Sequence, residues 1–139
     1  MKKVVIKSML LTLLAVLSTS IFLSVQAQSK AVAPKVYAVI NRADWCPVCQ
    51  ANGARVVSEV IPAFKNKRVK FIANDLTNEQ TIGTSIATLK KNHVYDAVKE
   101  AKSTGVILLV NAKTKKVVKQ ISVAETSAEI IKEITAAQG

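Results

Sequence analysis

The sequence predicts an α/β domain built on a central mixed sheet, with helices on both faces. Apolar, β-branched runs alternate with segments of helical periodicity, an order typical of strands joined by helical crossovers. The last two strand-like runs are separated only by a short polar segment, Asn111 to Lys115, which predicts an antiparallel hairpin. Two of the strand-like runs, Val36–Ile40 and Gly105–Val110, contain no charged residue, as expected for strands that are buried on both faces.

The first 27 residues carry the pattern of a secretory signal peptide. Three lysines precede an uncharged, mostly apolar stretch from Met9 to Val25, and Val25-Gln26-Ala27 has the form of a cleavage site. We expect cleavage between Ala27 and Gln28, which leaves residues 28–139 as one domain in the periplasm or outside the cell. The alternative is an uncleaved membrane anchor, because the apolar stretch has the minimal length for a span.

The net charge of +11 comes from 20 Lys and Arg against 9 Asp and Glu. Removing residues 1–27 takes away three lysines and leaves a charge of +8. Many of the remaining basic residues fall in short groups at 65–70, 90–91 and 113–119, and no aromatic side chains alternate with them as a nucleic-acid stacking surface requires. We therefore interpret these groups as solvated faces and turns, and expect no nucleic-acid partner.

Four runs of the mature chain are predicted to be strands. They are Val36–Ile40, Val69–Ala73, Gly105–Val110 and Lys116–Val123. The third has the strongest apolar character, so we expect it at the centre of the sheet.

The helical segments are predicted at 47–64, 77–91 and 94–102, with a last one after Thr126. Pro62 is expected to kink or end the first of them, because proline lacks the N–H that a helix needs. Thr77-x-x-Gln80 and Thr126-x-x-Glu129 have the form of capping boxes and predict where two helices begin.

The most informative feature is Trp45-Cys46-Pro47-Val48-Cys49, which follows a buried strand and opens a helix. Cysteines three apart on a first helical turn face one another and can close a disulfide. The unpaired N–H groups and positive dipole at a helix N-terminus favour a thiolate and make it reactive near neutral pH. Pro47 fits the first turn. We predict that Cys46 is an exposed nucleophile and that Cys49 is a buried resolving thiol.

This motif, its position between strand and helix, and the order of elements from Val36 onward resemble the thioredoxin-like family. The resemblance covers nearly all of residues 28–139. It implies a thioredoxin-like fold and a thiol–disulfide oxidoreductase with Cys46 and Cys49 as catalytic residues. It implies protein thiols and disulfides as partners, with a membrane or soluble redox partner, no cofactor or metal, and a monomeric state.

Three positions depart from the family's pattern. Ile40 stands where thioredoxins carry a buried acidic residue, and Pro47-Val48 stands where they have Gly-Pro. Thr104-Gly105 aligns with the residues that usually hold a cis-proline beside the disulfide. We expect this loop to pack against the cysteine pair with a trans bond, since a cis bond before a non-proline residue costs about 2.5–4 kcal/mol.

Other interpretations of the cysteines remain open. One is a purely structural disulfide. Another is a non-catalytic binding module that presents Cys46 and Cys49 to a soft metal such as Cu(I), or to a client protein. Covalent haem attachment needs a histidine where Gln50 stands. A zinc site needs about four ligands, and His93 is expected on the surface. Trp45 is expected to form a partly exposed lip beside the thiol, the alternative being a core position.

Overall fold

A four-stranded mixed sheet lies at the centre of the computed structural model, which describes residues 32–139. Its strands are β1 (Val36–Arg42), β2 (Val69–Asp75), β3 (Val106–Asn111) and β4 (Val117–Ser122). They lie in the order β2-β1-β3-β4. The predicted signal peptide at 1–27 falls outside the described residues.

The strand directions make the sheet mixed. β2 is parallel to β1, whereas β3 is antiparallel to β1 and β4 is antiparallel to β3. Ala38 shows the register, since it pairs with Phe71 on one side and Leu109 on the other. β3 has a neighbour on each side, so its predicted central position is confirmed. The helical connection after β2 therefore leads to β3, which runs in the opposite direction and is separated from β2 by β1 in the sheet.

The helices are α1 (Pro47–Arg55), α2 (Glu79–Lys91), α3 (Tyr95–Val98) and α4 (Ser127–Ala136). They cover both faces of the sheet, and the side chains of β3 alternate between the two sides as a strand requires. Ile107 and Leu109 pack with Ile130 of α4 in one core, and Leu108 packs with Leu89 of α2 in the other. The predicted fold class is confirmed.

Helix α1 ends earlier than the sequence predicts. The chain continues as a π-helical turn, Val56–Val60, in which the Ile61 N–H bonds to the Val56 carbonyl, and then as a 3₁₀ turn, Ile61–Phe64. Pro62 lies in the 3₁₀ turn, because it cannot donate the hydrogen bond that a regular helix needs there. Among the apolar residues of the predicted helix, Val56 and Val60 are buried in the core, whereas Val57 is 62% exposed.

One predicted cap is wrong and one is confirmed. Asn78, not Thr77, caps α2: its side chain accepts from the Thr81 N–H at 3.0 Å, while the Thr81 hydroxyl accepts from the Asn78 N–H at 3.1 Å. Thr77 bonds instead to the Asp75 carboxylate. Thr126 and Glu129 form the predicted box at α4.

The segment predicted as a helix over 94–102 is shorter, since α3 has a single turn. Between residues 32 and 139, no helix has the length and apolar character needed to cross a membrane.

Candidate active site

The cysteine motif lies where β1 delivers the chain to α1. After Arg42 a short loop leads to Cys46, whose extended backbone (φ −86°, ψ 112°) makes it the N-cap of the helix. Its N–H donates to the Ala43 carbonyl at 3.2 Å, and Pro47 occupies the first helical position. Proline is favoured there because its φ suits a helix and its missing N–H would have no partner. The local sequence therefore fixes where the helix begins.

Cys46 and Cys49 form a disulfide with a Cα–Cα distance of 5.3 Å. The Cys49 N–H also donates to the Cys46 sulfur at 3.3 Å. The Cys46 sulfur thus occupies the place of a capping acceptor at the positive end of α1. When the disulfide opens, negative charge on this sulfur is stabilised by the N–H and by the helix dipole.

The exposures of the two cysteines are the reverse of those expected. Cys46 is only 2% exposed, whereas Cys49 is partly exposed. The expectation of an exposed Cys46 and a buried Cys49 was wrong for a structural reason. As the N-cap, Cys46 turns its sulfur back over the first turn and towards the loop before β3. The sequence of the motif alone does not show that this loop covers Cys46.

The cover is supplied by the loop that ends at Gly105. This residue has a φ of +74°, and a Cβ placed on it would collide with Cγ1 of Val48 and lie 3.6 Å from the Cys46 sulfur. The part of the chain that the structure describes contains no cis peptide bond, so the Thr104–Gly105 bond is trans, as expected. Glycine is needed here both for the backbone conformation and for the close approach.

Asn41 holds this loop in place and was missed by the sequence analysis. Its backbone carbonyl accepts the Gly105 N–H at 2.8 Å, and its side-chain amide donates to the carbonyls of Ala101 (2.8 Å) and Ser103 (3.1 Å). The side-chain oxygen accepts from the Asn74 amide at 2.8 Å. Both asparagines are buried. The sequence feature that could have identified Asn41 is an amide side chain at the end of an otherwise apolar strand.

A groove of about 570 Å³ opens beside Cys49. Its walls are mostly apolar and come from β1, β2, α1, the turns that follow α1 and the segment that follows β4. The apolar side chains are Ile40, Val56, Val57, Ile61, Phe71, Ala73 and Val123. Gly53 lies in the α1 wall, and a Cβ placed on it would find no atom within 4 Å. Cys49 lines this groove and Cys46 does not.

Polar residues surround one end of the groove. Arg42 forms ion pairs with Asp44 and, at 3.0 Å, with Asp75. Burial raises the pKa of Asp75, but hydrogen bonds from Thr77 and the charge of Arg42 more than offset it, so that this pKa lies below its ordinary value. Arg42 thus carries one positive charge against two carboxylates, so this end of the groove keeps a net negative charge close to the motif.

Trp45 is 61% exposed and stands beside the disulfide. Its indole N–H donates to the Thr77 carbonyl at 3.3 Å, and the Thr77 hydroxyl accepts from the Asp44 N–H at 3.0 Å. The ring is therefore held at the surface, as expected for a lip and not for a core position.

Arg55 anchors the other end of α1 and was also missed. Its guanidinium donates to the carbonyls of Val123 (2.7 Å) and Glu125 (2.8 Å) and to the Ser127 hydroxyl (2.9 Å). The helix that carries both cysteines is thus fixed to the turn between β4 and α4.

The remaining candidates do not join the site. His93 is exposed and follows the end of α2. Within residues 32–139, no group of three or more His, Cys, Asp or Glu side chains could hold a metal ion. The cysteines are thus the one redox-capable pair that the structure brings together in this range.

Comparisons with known proteins give only distant likenesses. No family model matches the chain, and no curated protein matches it. The chain is similar to the crystal structure of Trxlp from Edwardsiella tarda EIB202, with 16% identity, a TM-score of 0.46, and coverage of 72% of this chain and 82% of that one.

It is also similar to a second solved structure, described as the structural basis of the thiol resolving mechanism in yeast mitochondrial 1-Cys peroxiredoxin via glutathione/thioredoxin systems. Here the identity is 16%, the TM-score is 0.47, and the coverage is 76% of this chain and 65% of that one. The fold therefore rests on the sheet topology described above, and membership of the thioredoxin-like family remains a resemblance.

Proposed function

We propose that this protein is an exported thiol–disulfide oxidoreductase that exchanges disulfides with partner proteins through Cys46 and Cys49. The observation that carries the proposal is the disulfide at the N-terminus of α1, in which the Cys46 sulfur accepts the Cys49 N–H at 3.3 Å. A sulfur in this position is stabilised as a thiolate, which is the form that reacts in exchange and the form that leaves.

The exchange needs no cofactor. A partner thiolate attacks one sulfur of the Cys46–Cys49 bond, a mixed disulfide forms, and the other sulfur leaves with the electron pair. A second partner thiol then completes a partner disulfide and leaves the protein as the dithiol. The reverse sequence reduces a partner disulfide. A membrane or soluble redox partner would restore the starting state and so determine the direction.

A structural role explains the bond less well. The two cysteines are only three residues apart. A loop this short removes little entropy from the unfolded chain, so the bond adds little stability. The helix N-terminus, in contrast, directly favours the open, charged state of one sulfur. The site is better suited to breaking and re-forming the bond than to keeping it closed.

Export is the second part of the proposal. Residues 1–27 have the composition of a signal peptide, and a stable cysteine pair fits a compartment outside the reducing cytosol. Expression of the full chain followed by cell fractionation tests this. We expect the processed protein in the exported fraction, beginning at Gln28. A full-length protein in the cytosol would contradict it.

The activity is tested by two assays on the processed protein. In one it reduces insulin disulfides with dithiothreitol as electron donor, and in the other its oxidised form oxidises a reduced, unfolded substrate. We expect turnover in at least one of them, and none from a folded Cys46→Ser/Cys49→Ser variant. A folded wild-type protein that is inactive in both would exclude the enzyme.

A further inference from the structure

We infer that Cys49, and not Cys46, is the sulfur to which partner thiols become joined, and that Cys46 is the leaving sulfur. This inference rests on the proposed function and assigns its mechanism. It reverses the order that the motif alone suggests. Two independent features of the structure support it, namely access to the sulfurs and stabilisation of the leaving charge.

Access favours Cys49. The Cys46 residue is 2% exposed and lies against Gly105, whose added Cβ would be only 3.6 Å from the sulfur. Cys49 is partly exposed and lines the groove between α1 and the sheet. Which sulfur of a disulfide is attacked depends on access. A thiol that enters the groove meets Cys49, whereas a thiol directed at Cys46 must first displace the Gly105 loop.

The leaving charge favours the same order. Attack on Cys49 places the electron pair on the Cys46 sulfur, which already accepts the Cys49 N–H at the positive end of α1. A better stabilised thiolate leaves faster. Attack on Cys46 would instead place the charge on Cys49, one turn further into the helix and beside apolar groove walls.

The electrons balance in both directions. With the oxidised protein, a partner thiolate forms a bond to the Cys49 sulfur, the Cys46–Cys49 bond breaks, and Cys46 becomes a thiolate. A second partner thiolate then attacks the partner sulfur, so that Cys49 leaves and two partner thiols have become one disulfide. In reverse, the Cys49 thiol loses its proton and attacks the partner disulfide, and one partner thiolate leaves. The Cys46 thiolate then attacks the Cys49 sulfur, the mixed disulfide breaks, and the second partner thiolate leaves.

The groove also indicates the class of substrate. Its walls near Cys49 are apolar, with Val56, Val57 and Phe71 among them, and the nearby Arg42 is paired with Asp44 and Asp75. Burying apolar surface is favourable, and burying an unpaired charge is costly. The geometry therefore fits a cysteine flanked by apolar side chains, as exposed in an unfolded or extended polypeptide.

The first experiment locates the mixed disulfide in the wild-type protein. The oxidised protein is mixed with glutathione, quenched in acid and alkylated, and the peptide that carries both cysteines is fragmented in a mass spectrometer. We expect glutathione on Cys49 and the alkyl group on Cys46, in an excess of about tenfold. Glutathione mainly on Cys46, or equally on both, would overturn the inference.

The second experiment measures the single thiols. Reduced Cys46→Ser and Cys49→Ser variants react with dithiodipyridine at a pH where each rate has reached its plateau, which removes differences in ionisation. We expect the variant with free Cys49 to react about tenfold faster. Equal or reversed rates would contradict the assignment. In urea both variants should react alike, which shows that any difference arises from the fold.

A third experiment tests the groove with matched variants. Gly53→Leu fills open space in the groove, and Gly83→Leu adds the same side chain to open space on α2. We expect Gly53→Leu to slow mixed-disulfide formation with an apolar cysteine peptide by about fivefold, and Gly83→Leu to leave it unchanged. Equal rates for the two variants would exclude the groove as the route.

These outcomes separate the inference from the proposed function. If the protein reduces insulin but glutathione is found on Cys46, the inference is overturned and the proposed oxidoreductase function is supported. A reactive Cys49 without turnover in either assay would support the order of the sulfurs and exclude the enzyme.

Discussion

The side-chain amide of Asn74 donates to the side-chain oxygen of Asn41 at 2.8 Å, between the parallel strands β2 and β1. This bond orients the Asn41 amide so that its N–H groups point to the carbonyls of Ala101 and Ser103. A buried polar pair in the sheet thus determines the position of the loop that covers Cys46.

Replacing Asn41 by alanine should both destabilise the protein and uncover Cys46. The change leaves the Asn74 amide and two loop carbonyls without their partner, and unpaired buried groups cost about 1–3 kcal/mol each. We expect the free energy of unfolding in urea to fall by about 2 kcal/mol or more. The exposed Gln120→Ala, a matched amide on β4, should change it by less than about 0.5 kcal/mol. Equal losses from the two variants would show that the buried pair has no special role.

Gly105→Ala should destabilise the protein because both the positive φ and the close contact with Val48 are unfavourable for a residue with a side chain. The residue has a φ of +74°, and its Cβ would collide with Val48. We expect a loss of about 1–3 kcal/mol in urea unfolding. Gly83→Ala, in open space on α2, should instead gain about 0.5–1 kcal/mol. A neutral Gly105→Ala would mean that the loop moves freely away from the disulfide.

Gly105→Pro should be worse than Gly105→Ala. Proline requires a φ near −65° and has no N–H, whereas the Gly105 N–H donates to the Asn41 carbonyl at 2.8 Å. We expect a larger loss in urea unfolding, and faster labelling of Cys46 in the reduced protein. Stability equal to that of the wild type would show that this loop has a second arrangement.

Arg55→Met should loosen the helix that carries the cysteines. The variant retains the apolar stem but removes the donors to Val123, Glu125 and Ser127. We expect a loss of about 1–3 kcal/mol, measured by thermal or urea unfolding. The control is Arg68→Met, which removes an exposed bond to the Ala33 carbonyl and should cost less than about 0.5 kcal/mol.

Acid should release Trp45 through Asp75. The native pKa of Asp75 lies below its ordinary value of 3.8, so the unfolded chain binds the proton more readily. The stabilisation is therefore fully present above that value and is lost as the pH falls through the native pKa. Asp75 holds Thr77, whose carbonyl accepts the Trp45 indole N–H.

The fluorescence of Trp45, the single tryptophan of the chain, should therefore change as the pH falls below about 3.8. Asp75→Asn should show this altered signal already at neutral pH and a weaker dependence on acid. Asp96→Asn is the control, since Asp96 is 89% exposed and lies on α3. Identical acid profiles for wild type and Asp75→Asn would contradict the assignment.

Local chemistry made much of the fold predictable. The apolar run Gly105–Val110 identified the central strand, and Pro47 identified the start of the cysteine helix, because both signals depend on neighbouring residues. The predicted cap at Thr77 was wrong because contacts formed only in the folded chain engage this residue. Asp75 and Asp44 engage Thr77, and Asn78 replaces it as the cap.

The site was less predictable than its cysteines. That Cys46 and Cys49 pair could be inferred from their spacing, but which of them is covered depends on Gly105, more than fifty residues away in the chain. The groove beside Cys49 likewise arises from α1, β1 and β2 together. Neither relationship has a signature in any short stretch of sequence.

The position of β4 at the edge of the sheet gives the lysines beside this strand a role in keeping the protein from associating with itself. Val117 (39%) and Val118 (53%) are exposed on this strand, and an open edge with β-branched residues is a template for pairing with a second copy. Lys115 and Lys116 precede these valines and repel such a copy, whereas Lys119 is paired with Glu133. Since salt screens this repulsion, the protection of this edge weakens as the ionic strength rises.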